Sequence, residues 1–119
     1  MGKFENLRVW QKGVELSVKI YKLAREEKLS KDYGLKDQMQ RSSVSIPSNI
    51  AEGDELNTQK QSINFLFHAK GSCAELYTQI VIAEKADLIP LDKATILKDE
   101  CKVISAMLGK LIKIRNTLK

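Results

Sequence analysis

The sequence holds two cysteines, two prolines, six glycines and a single histidine in 119 residues, and each scarcity removes a class of protein. Cys73 and Cys101 sit inside apolar helical patterns without the paired spacing of a zinc site or a dithiol redox motif. They are expected to be free core thiols, and no metal or cofactor is expected. With His68 alone, a Ser-His-Asp arrangement has one candidate base, and nothing near it forms a nucleophile elbow. The residue three before it is Phe65, which excludes the Glu-x-x-His pairs of a di-iron bundle. A surface or inter-helix histidine is expected instead. The phosphate-binding pattern Gly-x-x-x-x-Gly-Lys is also missing. No apolar run reaches the roughly 20 residues that span a membrane. The opening Met1-Gly2-Lys3-Phe4-Glu5-Asn6 has no apolar signal region, and Asn6 stands where myristoylation requires Ser or Thr. These absences predict a chain that is not an enzyme, does not enter a membrane and resides in the reducing cytoplasm.

What is present favours helices. Hydrophobic residues make up 43% and charged residues 29%, enough apolar material for one domain across residues 1–119 and too much for disorder. Leu7, Trp10, Val14, Ser17, Tyr21 and Ala24 recur at steps of three and four, with Val9, Gly13, Leu16, Ile20 and Leu23 beside them. That makes an apolar face wider than one packing seam requires. A second helix is expected from an N-cap near Ser30 to a stop near Gly53, kinked at Pro47, where Ser45 and Ser48 could replace the lost hydrogen bond. Thr58 and Gln61 form a capping-box pattern opening a third helix. Its rows Leu66, Ala69, Cys73, Leu76, Ile80, Ala83 and Ile63, Phe67, Ala74, Tyr77, Val81, with Phe65 and Ile82 elsewhere, make it apolar nearly all round and so the most buried. Pro90 and Asp92 open a fourth, whose core row is Leu97, Cys101, Ile104, Leu108, Leu111 and Leu118. Short connections between four such helices predict an all-α, antiparallel up-down four-helix bundle. The surplus apolar face on the first and third helices predicts that the chain is not a monomer.

Two polar features could carry function. Gln38, Arg41, Ser42, Ser45, Asn49 and Glu52 stack along one side of the second helix. With Ser72 and Glu75 on the third, they read as a buried hydrogen-bonded network in which Arg41 and Glu75 pair, since buried polar groups need partners. The other feature is charge. The formal net charge is +5, yet residues 1–28 and 92–119 together hold 14 basic and 7 acidic residues, so the positive charge belongs to the chain ends. No acid follows Glu100. Arg8, Lys12, Lys19 and Lys22 on the first helix and Lys102, Lys110, Lys113 and Arg115 on the fourth are therefore the candidate contacts to nucleic-acid phosphates. Trp10 and the tyrosines fall on or near the apolar rows, so single-strand stacking is not indicated.

The second helix also carries a specific run: Tyr33-Gly34-Leu35, Gln38, Arg41, then Val44-Ser45-Ile46-Pro47-Ser48-Asn49-Ile50-Ala51-Glu52-Gly53. It resembles the signature of the four-helix-bundle proteins named after intervening sequences of 23S ribosomal RNA genes. The likeness extends to Phe4, Leu7, Val9 and Trp10, and to Phe65, Leu66, Gly71-Ser72 and Glu75-Leu76, nearly the whole chain. It implies an up-down bundle assembling into a homopentamer, similar in architecture to the accessory variability proteins of diversity-generating retroelements, which bind nucleic acid beside a reverse transcriptase. Two departures stand out. Ser42-Ser43 replaces small apolar residues, and Asp54-Glu55 follows the glycine where a basic residue is usual, which moves the expected nucleic-acid contact to the terminal helices. The reading that results is a non-enzymatic oligomer binding structured RNA or DNA; the alternative is a structural or protein-interaction module that binds a protein partner and no nucleic acid.

Overall fold

The computed structural model describes residues 3–56 and 58–117. Met1, Gly2, Leu118 and Lys119 therefore lie outside the described residues, and with them the expected core position of Leu118. A 3-10 turn at Phe4–Asn6 leads into α1 (Arg8–Leu23); a single-turn helix α2 (Glu27–Ser30) precedes α3 (Tyr33–Glu55), α4 (Gln59–Lys85) and α5 (Leu91–Asn116). Among the described residues there is no strand.

Inter-helix contacts fix the directions of the long helices. Ser17 of α1 meets Ser43 of α3, while Gly13 lies against Pro47, so one number rises as the other falls. The same holds for Ser45 with Ser72 and Ser42 with Gln79 between α3 and α4, and for Lys70 with Gly109 and Tyr77 with Lys102 between α4 and α5. The four long helices thus form an antiparallel up-down bundle of 48 × 23 × 21 Å, as the spacing predicts. α1 packs chiefly on α3 and touches α5 sparsely, leaving the α1–α5 seam open. The core is aliphatic, with Leu16, Ile20, Met39, Ile46, Leu66, Leu76, Ile104 and Leu108 all buried.

Local chemistry explains the boundaries, including those misplaced from sequence. α3 is capped by Asp32, not Ser30, because the Asp32 carboxylate accepts the Leu35 N–H at 3.0 Å, whereas Ser30 ends α2 by donating to the Glu27 carbonyl. An N-cap carboxylate at that position satisfies an otherwise unpaired donor. Thr58 caps α4 as expected, accepting from Gln61 N–H at 3.3 Å. Gly53 does not stop α3, which runs on to Glu55. Its role is close approach: a Cβ there would stand 3.0 Å from the Ser62 carbonyl oxygen of α4. Pro47 lies inside α3, buried against Gly13, where a Cβ would meet Ile46 Cγ2 at 3.3 Å. α1 settles against the proline because Gly13 has no side chain. Ser45 is committed to Asn49 and Ser72, and Ser48 is exposed, so neither acts as the expected replacement partner.

α4 ends in a Schellman arrangement. Leu88 N–H returns to the Ala83 carbonyl at 2.8 Å and Asp87 N–H to Glu84 at 3.0 Å, with Asp87 in the left-handed region at φ 62°. α4 is not buried all round. Phe67 is 55% and Ile82 50% exposed, because a helix at the corner of a bundle keeps one side to solvent.

Candidate nucleic-acid interface and polar seams

The basic residues divide into committed and uncommitted. Arg115, near the end of α5, donates from Nη2 to Asp54 Oδ1 and from Nη1 to Ser62 Oγ, both at 2.7 Å, and its side chain is only 17% exposed against 15% for Asp54. It clasps α3, α4 and α5 together at one end of the bundle. It is therefore not a free phosphate ligand, which corrects its place among the candidates. The acid at Asp54 supplies its partner. Lys19 is also engaged, 2.6 Å from Glu100 Oε1 across the α1–α5 seam, and Lys93 pairs with Glu26 further along it. The second oxygen of Glu100 is buried with no hydrogen-bond partner among the described residues.

Arg8, Lys12, Lys22, Lys102, Lys110 and Lys113 make no ion pair among the described residues. All but Lys12 are exposed, and Lys102 rests 5.6 Å from the centre of the Tyr77 ring. Because α1 and α5 run antiparallel side by side, the start of α1 and the end of α5 lie at the same end of the bundle. Arg8 on α1 and Lys110 and Lys113 on α5 lie toward that end, where α5 carries no acid beyond Glu100, while Lys12 lines a hollow with Asp99 and Glu100.

The expected buried network of Gln38, Arg41, Asn49, Glu52, Ser72 and Glu75 is not formed as one unit. Gln38, Arg41, Glu52 and Glu75 are exposed, and Arg41 pairs with Asp37 one turn back, Nε to Oδ2 at 2.9 Å, not with Glu75. Only Asn49 and Ser72 are joined, through Ser45: Asn49 donates to Ser45 Oγ at 2.8 Å, and Ser72 donates to the same oxygen at 2.9 Å. The stripe on α3 straddles the edge of the α3–α4 seam, so its inner members pair across it while the outer ones face solvent. Two buried contacts escaped the sequence reading. The Ser42 hydroxyl donates to Gln79 Oε1 at 2.6 Å, and Ser17 meets Ser43 at 3.2 Å. Serine at two adjacent positions on a helix otherwise lined by Met39, Ile46 and Ile50 was the available signal, since buried hydroxyls require partners.

Cys73 and Cys101 are buried free thiols beside a shallow hollow of about 330 Å³ on the α4–α5 seam. Burial pushes the Cys73 thiol up to about 12, with Lys70 acting weakly against it. Burial, then Cys73 and Glu100, push Cys101 up to about 12. Neither is a thiolate at neutral pH, so neither is poised as a nucleophile. His68 is exposed and stacks edge-on to Phe65, ring centres 6.0 Å apart. No group of three or more metal-ligating side chains occurs among the described residues, and none of their helices is long and apolar enough to cross a membrane.

Fold and packing together define a small antiparallel bundle of four long helices. The chain belongs to the 23S rRNA-intervening sequence protein family, whose model matches residues 5–110. Among solved structures it is similar to a Bacteroides thetaiotaomicron protein of unknown function from the S23 ribosomal protein family, with a TM-score of 0.82 and 25% identity over 88% of this chain and 98% of that one. No curated protein matches.

Proposed function

We propose that this chain is a non-enzymatic, cytoplasmic homo-oligomer, five copies on the family resemblance, that holds RNA or DNA by its backbone phosphates. The observation that carries the reading is the set of cations left uncommitted once Arg115 and Lys19 are tied up. Arg8 on α1 and Lys110 and Lys113 on α5 lie toward one end of the bundle, with Lys12 and Lys102 further along their helices. Lysines and arginines arranged this way neutralise phosphate charge without reading base edges. Binding is therefore insensitive to sequence and steeply salt-dependent.

Fluorescence anisotropy with a labelled RNA duplex, repeated over a salt series, tests this directly. Five phosphate contacts per protomer give a log–log slope of roughly −4 to −5. Lys110→Ala with Lys113→Ala should flatten it by about two units for all sequences alike. Absence of binding at low salt, to RNA and DNA duplexes both, overturns the proposal. The exposed Phe67 and Ile82 favour a second reading, in which the chain is purely an interaction module.

A further inference from the structure

The chain's two thiols come from different helices to one place. Cys73 of α4 and Cys101 of α5 line the same hollow of about 330 Å³, whose walls include the small residues Ala74 and Ser105. Both are almost wholly withdrawn from water, at 1% and 2% exposure. They are close enough that a charge on Cys73 is felt at Cys101. One free cysteine in a core is ordinarily a small hydrophobe. Two that converge on one hollow from two helices make a pair of sulfur ligands.

Cations bracket the pair. Lys70 lays its stem over Gly109, where a Cβ would stand 3.5 Å from Lys70 Cε. Lys102 crosses the same seam in the other direction, 5.6 Å from the centre of the Tyr77 ring. On α4, Cys73 lies between these two crossings, and on α5, Cys101 adjoins Lys102. The Lys70 charge already acts on Cys73, against the effect of burial. The acid felt at Cys101 is Glu100, and its carboxylate is held by Lys19 across the α1–α5 seam.

We propose that Cys73 and Cys101 together bind one soft monovalent cation of the Cu(I) class, as a two-sulfur site within the α4–α5 seam. Thiolates select Cu(I) over the hard cations. Zinc takes four ligands, and among the described residues the hollow supplies no carboxylate or imidazole to complete four. Two thiols and one cation give a bis-thiolate complex with one net negative charge, and two protons pass to water. Lys70 and Lys102 offset that charge. Thiols that burial keeps protonated are poor nucleophiles, yet they remain ligands because the metal takes the place of the proton.

Titration of the full chain, kept reduced, with Cu(I) held by a coloured chelator decides it. One equivalent per chain should leave the chelator, with a thiolate-to-copper charge-transfer band in the ultraviolet. Cys73→Ser and Cys101→Ser should each lose more than the ~10–100-fold in affinity that removal of an outer partner of a metal ligand costs. Copper X-ray absorption of the wild type, which requires no variant to fold, should show two sulfur neighbours and no nitrogen or oxygen ligand. Copper should also raise the melting point of the wild type, because a ligand of the folded chain alone stabilises it. An equal concentration of Zn(II) should not compete. A wild type that leaves the copper with the chelator overturns the site. So does wild-type affinity in either single variant, a sulfur count other than two, or displacement by zinc. A lowered melting point would show capture by the unfolded chain, and a copper-dependent gain in sedimenting mass would put the metal between chains; either refutes a site within one folded copy.

Discussion

The Arg115–Asp54–Ser62 clasp gives the sharpest test of the fold, because three helices meet in it and both charges are largely withdrawn from water. Arg115→Ala leaves Asp54 facing protein with no cation and Ser62 without its donor. Breaking a fully buried pair costs about 3–5 kcal/mol, while an exposed pair contributes under about 1 kcal/mol. With side-chain exposures of 17% and 15%, the clasp lies nearer the buried limit, at roughly 2–3 kcal/mol. That corresponds to a loss of about 6–12 °C in Tm for a chain of this length. Urea unfolding followed at 222 nm, at one fixed protomer concentration because assembly shifts apparent stability, supplies the number. Arg115→Ala, Asp54→Ala and the double variant complete a cycle whose coupling energy should exceed about 1.5 kcal/mol. Coupling below about 0.5 kcal/mol would mean that the arginine is effectively solvated. The phosphate-ligand reading would then regain it, particularly if Arg115→Ala weakened nucleic-acid binding without moving the unfolding midpoint.

Three further outcomes follow from the packing. Ser42→Ala should destabilise by about 1–3 kcal/mol in urea by stranding Gln79 Oε1, whereas pairing it with Gln79→Leu should recover most of that loss; equal costs for the single and double variants would argue against the bond. Asp87→Gly should add up to about 1 kcal/mol in the same assay, since glycine adopts φ 62° without a Cβ penalty; a destabilised variant would show that the aspartate does more than occupy the turn. The thiols give a pH dependence of definite sign. Folded Cys73 and Cys101 stay protonated until about 12, whereas the unfolded chain releases those protons near 9, so between these values the unfolded state binds fewer protons and stability falls as pH rises. Cys73→Ala/Cys101→Ala should flatten that alkaline decline in a urea series from pH 8 to 11; an unchanged slope would place the titration elsewhere.

Residue spacing carried most of the architecture and less of the surface. Four amphipathic rows with short connections require a bundle, and Thr58 announces its helix because capping is a local hydrogen bond. Ser30 and Gly53 misled for the opposite reason. Asp32 is the better acceptor two residues on, and Gly53 is explained by an α4 backbone that local sequence does not reveal. Periodicity states which α3 residues share a stripe but not how far the stripe is rotated from the seam, so Arg41 and Glu75 were expected inside and are exposed. Arg115 was read by its charge alone. Its partner Asp54 lies on another helix, and only the folded chain brings them together.

The sparse α1–α5 seam also bears on the order in which the molecule forms. Every well-packed pair of long helices is consecutive along the chain, and the pairing of the first with the last, α1 with α5, is the least developed. Loop closure between distant segments is what slows folding, so a chain whose contacts are nearly all between consecutive elements has little to wait for. As synthesis proceeds, α3 can receive α1, α4 can then cover α3, and α5 can finish on α4, with no step held back for the closing residues. The first and last long helices meet last and only lightly.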